Sequence, residues 1–301
     1  DTVVVPDIDP GPPRAYPLRI LNYHEIVNDR VGDVPIAVTW CPLCGTIVVF
    51  DRRVEEVAGD EDGEGEREGE TLTFGVSGKL ADDNLVMYDR ETGSEWKQSL
   101  GTCIEGPREG ESLSILPVIV TTWERYREFV DEPRVLAETE VESEAASETN
   151  EPARIDYDRD PYTRYFESDG FGLAAHRNED AQRSWERDDL DPKDVVLGIG
   201  EEEAAVGVPR PWLLEHGNVT RVALPDRTVV VFGTPSGMYA YEDPGFQFEY
   251  REAETFVGGG TEWHAVTGRS QDGRSLKRLP TRREFVFTWQ DDHGADSFLS
   301  M

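Results

Sequence analysis

The sequence predicts an all-β protein, mainly strands with a few short helices, arranged as two similar β-rich units from an internal duplication. Three observations lead there. Short runs rich in Val, Ile, Phe and Tyr recur along the chain, each bounded by Gly, Asp, Asn or Pro, the composition of strands separated by turns. Only one segment shows clear helical spacing. A series of short matches also recurs in the second half in the same order, as a repeat unit would.

Taken in order, residues 1–32 form an N-terminal segment, proline-rich at first and ordered from Tyr16 onward. The first β-unit spans 33–137, with strands expected at 35–40, 46–51, 71–76 and 84–88. A helix is expected over 121–131: Thr121 and Glu124 have capping-box spacing, and Trp123, Tyr126 and Val130 recur at helical intervals. Residues 138–160 read as an acidic linker. The second β-unit spans 161–301, with strands expected at 195–199, 204–208, 220–224, 228–232, 237–241 and 285–289. A short helix is expected at 209–214, with proline near its start.

The repeat is read from gapless and ordered matches. Residues 38–45 align on 230–237; Glu95-Trp96 with Gly101 and Gly106 matches Glu262-Trp263 with Gly268 and Gly273; Thr122-Trp123 matches Thr288-Trp289. Within the first match, Cys41 and Cys44 become Gly233 and Ser236, and further on Cys103 becomes Ser270. Thiols needed only for folding should recur in both copies, so these look like a site added to one copy.

Charge sets a second boundary. The 301 residues carry 62 acidic against 30 basic side chains, a formal net charge of −32, and lysine occurs only at Lys79, Lys97, Lys193 and Lys277. Such a chain repels itself at ordinary salt, whereas at molar salt the screening length falls to about 3 Å. The pattern reads as adaptation to a salt-saturated surrounding. It excludes nucleic-acid binding, which needs a basic footprint. No apolar run reaches the ~20 residues of a membrane-spanning helix, so no transmembrane segment is expected. The first residue is Asp1 rather than Met, and Asn218-Val219-Thr220 is a glycosylation sequon, so an extracellular or cell-surface protein processed from an N-terminal signal is expected.

The chemistry centres on Cys41-Pro42-Leu43-Cys44-Gly45. Cys-x-x-Cys on a tight turn places two thiols where they can share a metal ion or close a disulfide. A structural disulfide or a half-used zinc knuckle is the plainest reading, although no second Cys-x-x-Cys is present. Candidate further ligands are His24, shortly before the first strand, Met87 on an expected strand, and Cys103. Two thiolates with an imidazole and a thioether form a soft set suited to copper. Cys103 in place of Met87 gives a Cys₃His set suited to structural zinc. No phosphate-binding glycine loop, Ser–His–Asp order or His-Glu-x-x-His motif occurs.

Residues 24–29 (His-Glu-Ile-Val-Asn-Asp), 38–45, Phe74-Gly75-Val76-Ser77-Gly78 and 88–96 resemble the uncharacterised family catalogued as domain of unknown function 3179. The resemblance runs from about Tyr16 to Trp289, and the Cys-Pro-Leu-Cys-Gly turn is its most specific mark. It implies an exported or lipid-anchored protein, often of haloarchaeal type, and no established activity. His24, Cys41, Cys44 and Met87 stand at positions of the family motifs, whereas Cys103 stands where a small residue is expected.

The expected function is an exported, salt-adapted metal-binding protein, with copper held by Cys41, Cys44, His24 and Met87 for copper carriage or electron transfer. Its partner would be a redox or copper-donor protein. One alternative is a thiol–disulfide oxidoreductase in which Cys41 attacks and Cys44 resolves. Another is a structural subunit of a self-assembling surface lattice or filament. The charge yields the first testable expectation: far-ultraviolet circular dichroism should show loss of structure in dilute buffer and recovery in molar KCl. A folded spectrum unchanged in dilute, divalent-free buffer would refute the salt reading.

Overall fold

Two strand-rich halves run through a corresponding order of elements. The computed structural model describes residues 1–8, 13–54, 69–138, 155–180, 183–200 and 204–299. The first half contains β1 (Thr2–Pro6), β2 (Arg14–Pro17), α1 (Leu18–His24), β3 (Ile26–Val31), β4 (Val34–Cys41), β5 (Thr46–Asp51), β6 (Arg53–Val54), β7 (Glu70–Thr71), β8 (Phe74–Ala81), β9 (Asn84–Asp89), β10 (Glu95–Lys97), β11 (Thr102–Glu105), β12 (Val118–Thr122), α2 (Trp123–Phe129) and β13 (Arg134–Val135). Two short helices follow, α3 (Thr163–Glu167) and α4 (Gly172–Arg177). The second half contains β14 (Val195–Ile199), β15 (Val206–Pro209), α5 (Arg210–Glu215), β16 (Val219–Ala223), β17 (Thr228–Gly233), β18 (Met238–Glu242), β19 (Phe248–Glu252), β20 (Thr255–Gly258), β21 (Thr261–His264), β22 (Arg269–Ser270), β23 (Arg282–Phe285) and α6 (Val286–His293).

In each half the opening strand lies between the second strand and a late one, β12-β1-β2 (with β13 beyond β2) and β23-β14-β15. Each half then has a three-stranded meander, β3-β4-β5 and β16-β17-β18, and a four-stranded antiparallel sheet, β8 to β11 and β19 to β22. The N-terminal segment is thus integral to the first half: Val4 lies opposite both Val120 and Tyr16. Most of the expected acidic linker, 139–154, lies outside the described residues.

The halves interlock. β5 pairs with β23 through Ile47 and Arg283, joining the first meander to the last strand of the second half in one six-stranded sheet. Reciprocally, the turn before β18 meets β12: the Tyr239 hydroxyl donates to the Val120 carbonyl at 3.3 Å. The cores follow this exchange. Phe285 and Phe287 fill the cluster around Cys41, Phe50 and Trp96, while Val3, Ile119 and Tyr126 fill the cluster around Phe232, Tyr241 and Phe256. Among the described residues no helix is long and apolar enough to cross a membrane.

Two expectations are corrected. The helix expected over 121–131 is α2 (Trp123–Phe129), and Thr122 rather than Thr121 is its N-cap, its hydroxyl accepting from the Arg125 amide at 3.3 Å. Residues 285–289 were expected to form a strand, yet the strand ends at Phe285 and α6 takes over. Val286, Phe287, Thr288 and Trp289 are all buried, so this run carries no polar period to separate helix from strand. The proposed match of Thr122-Trp123 with Thr288-Trp289 also falls on unlike places, a helix cap in one half and a helix interior in the other.

α6 packs Trp289 onto β14 and β15, where a side chain at Gly198 or Gly207 would collide with the indole. Below it lies a set of buried ionisable groups. Lys97 Nζ sits 2.6 Å from Asp292 and 2.7 Å from Asp82. Glu284 is fully buried, and burial followed by the charge of Asp292 raises its pKa well above its ordinary value, disfavouring the charged form. His293, its ring tilted against that of Trp289 at 4.0 Å, is pushed down to about 4, first by burial and then by the positive charges of Arg282 and Lys97. A base whose folded pKa lies below its unfolded value of about 6.5 leaves stability intact above that value. Stability is then lost as pH falls toward 4, because only the unfolded chain gains the proton. Chemical denaturation should therefore show a steeper loss between these limits for the wild type than for His293→Gln. Parallel curves would exclude His293 as a source of the acid sensitivity.

Candidate redox and metal site

The hairpin of β4 and β5 delivers Cys41 and Cys44 to one turn, with Cys41 opposite Thr46 in the ladder. The two are joined by a disulfide, their Cα atoms 5.5 Å apart. Gly45 closes the turn at φ +62°, and a Cβ there would lie 2.7 Å from the Phe285 ring, so both conformation and space require glycine.

Every carbonyl from Leu43 to Gly45 is engaged by a later part of the chain. Leu43 O accepts from the Tyr165 hydroxyl at 2.5 Å. Cys44 O accepts from the Phe285 amide at 2.8 Å and the Thr288 hydroxyl at 3.2 Å. Gly45 O accepts from Arg283 Nη1 at 2.5 Å. Tyr165, Arg283, Phe285 and Thr288 are therefore the turn's partners. Sequence reasoning missed all four, because they lie more than a hundred residues away and carry no spacing signal.

Cys41 and Cys44 are 2% and 0% exposed, which shields the disulfide from a bulky partner. The other sulfur-bearing candidates share the apolar cluster: Met87 on β9 and Cys103 on β11 both lie in it, with Trp96, Phe285 and Phe287. Cys103 is a free thiol that donates weakly to the Glu105 carbonyl at 3.5 Å, and burial raises its pKa. His24 ends α1, and Glu25 after it accepts from the Trp40 amide at 2.8 Å, which brings this segment beside the strand leading to Cys41. The His24 ring, however, is committed: Nε2 lies 2.7 Å from the Tyr157 hydroxyl, and burial lowers its pKa. The structure thus gathers four of the five candidates into one cluster and gives His24 a different partner. Among the described residues no group of three or more His, Cys, Asp and Glu side chains is arranged to hold a metal ion.

Residues 1–295 match the family model described as "Protein of unknown function (DUF3179)". The chain belongs to this family. No curated protein and no solved structure matches the chain. In this DUF3179 chain the Cys-Pro-Leu-Cys-Gly turn is one of two points at which the second half of the fold attaches to the first.

Gly45→Ala should lower the unfolding free energy by about 1–3 kcal/mol, since it combines left-handed backbone strain with a collision against Phe285. Urea unfolding in molar salt measures this. A change below about 0.5 kcal/mol would mean that Phe285 yields freely.

Proposed function

We propose that the chain is an exported, salt-adapted thiol–disulfide protein in which Cys41 and Cys44 cycle between disulfide and dithiol. The observation that carries this reading is the contrast between the two meander turns. In the second half the Thr234 hydroxyl accepts from the amides of Ser236 and Gly237, each at 3.2 Å, and the Thr234 amide donates to the Gly237 carbonyl at 2.8 Å. A hydroxyl thus closes that turn without a covalent bond, so a disulfide is not a requirement of such a turn. Disulfides persist in oxidising, extracytoplasmic surroundings, which supports an extracellular or cell-surface location. Reduction consumes two electrons and two protons from a dithiol partner, which is left as its own disulfide. Burial makes the exchange depend on parting the turn from Tyr165 and Phe285. The corresponding element order and the two turns also support descent of the halves from one duplicated unit.

A second reading rests on the sulfur content of the cluster. Once reduced, Cys41 and Cys44 become two thiolate ligands beside Met87 and Cys103, a soft set suited to Cu(I). The chain would then carry copper from a donor protein or pass single electrons. A zinc site would draw on Cys103, with His24 released from Tyr157.

Thiol counting after denaturation should give one free thiol in the oxidised protein and three after reduction, out of three cysteines. The reduced chain should keep its circular dichroism spectrum and reoxidise. Replacing both cysteines of the turn by serine should cost about 2 kcal/mol, the loop-closure value for so short a ring, without loss of fold. Stoichiometric copper in reduced wild type, lost in Cys41→Ser, would favour the second reading. Global unfolding on reduction would refute the redox reading and make the disulfide structural.

A further inference from the structure

We infer that the cavity beside the Cys41–Cys44 turn binds a small amphipathic carboxylate, its anionic head held by Arg283 and Lys193 and its apolar body laid against Trp40 and Phe285. The inference is independent of the redox reading. The cavity encloses about 550 Å³, within the range of small-molecule sites. Its walls combine Trp40, Phe285 and Phe166 with the cations Arg19, Lys193 and Arg283 and the acids Asp1, Asp158 and Asp160.

The three cations of this cavity equal its three acids in number, but they are not evenly paired. The acids are already engaged: Asp1 and Asp158 pair with Arg19 at 3.5 and 2.8 Å, and Asp160 accepts from Asn22 and from the Tyr162 amide. Arg283 and Lys193 have no carboxylate within ion-pair distance among the described residues. Arg283 spends one N–H on the Gly45 carbonyl and lies over the rings of Trp40 and Phe285, at 5.7 and 5.6 Å from their centroids. Lys193 donates to the carbonyls of Tyr165 and Ser168, and the one carboxylate whose charge registers on it, Asp169, forms no ion pair with it. The charged neighbour that registers on Arg283 is another cation, Arg210, and burial together with that repulsion pushes its pKa down to about 10. In a chain with twice as many acids as bases, two partly buried cations without a carboxylate mark a place prepared for an external anion. Arg is suited to the head group because its planar fork accepts a carboxylate on two donors, and the flanking rings suit an apolar body.

The probes are benzoate, its neutral isostere benzamide, and inorganic phosphate, each titrated calorimetrically into the full chain in molar KCl. Benzoate should bind at least tenfold more tightly than either of the others, and it should quench the wild type but not a Trp40→Phe variant. Lys193→Gln and Arg283→Gln should each weaken benzoate at least tenfold, with circular dichroism confirming the fold. Lys193→Gln and the benzamide comparison decide the matter if Arg283→Gln fails to fold. Equal binding of benzoate and benzamide, absence of benzoate binding, or unchanged affinity in Lys193→Gln would overturn the inference. Phosphate binding as tightly as benzoate would also overturn it, by showing a bare oxyanion site with no use for the aromatic wall.

Discussion

The turn from Cys41 to Gly45 is held by hydrogen bonds that its own hairpin does not supply. Its carbonyls point away from the ladder and would be unsatisfied in the interior unless something donated to them, a cost of about 1–3 kcal/mol for each buried group. Tyr165, Arg283, Phe285 and Thr288 provide those donors. Because three of the four lie on β23 and α6, satisfying one turn fixes how the C-terminal strand and helix meet the first meander. The pairing of Ile47 with Arg283, and the entry of Phe285 and Phe287 into the sulfur-rich cluster, follow from that junction. The reciprocal contact of Tyr239 with Val120 ties the second meander to β12, so the two halves brace each other across two junctions.

The charge of the chain is distributed by the same logic. Most ion pairs sit at the surface, where each contributes little, as expected of pairs screened by salt. The interior instead gathers a few groups under tight constraint. Lys97 is held between buried Asp292 and exposed Asp82, burial disfavours the charged form of Glu284, and His293 is pushed down to about 4 beside Trp289. Asn84, Gln98 and Ser99 add side-chain polar atoms there without hydrogen-bond partners among the described residues. Buried groups of this kind need water or another polar species to be satisfied.

Much of the strand pattern was legible. The hairpin around the cysteines, the strands at 195–199 and 228–232, and the short helix opened by Pro209 and Arg210 were found within a residue or two, because each is a short apolar run closed by turn residues. Strands of the two four-stranded sheets were harder. β10 and β22 are three and two residues long and carry no period of their own; they exist because longer neighbours pair with them. α6 was misread because its first turn, residues 286–289, is buried on every side and so shows no polar period to reveal a helix.

By itself the sequence determined the family, the predominance of strands, the overwhelming negative charge and the singular position of the Cys-x-x-Cys turn. These are properties of residue type and local spacing, and they survive without knowledge of any long-range contact. The tertiary structure alone decided that Cys41 and Cys44 are buried against Phe285, that Met87 and Cys103 join them, and that His24 turns to Tyr157 instead. It also decided that Arg283 has no carboxylate within ion-pair distance among the described residues of this acidic chain. Each of these depends on which distant segment fills a given space, and packing between segments a hundred residues apart leaves no period, cap or motif in the local sequence.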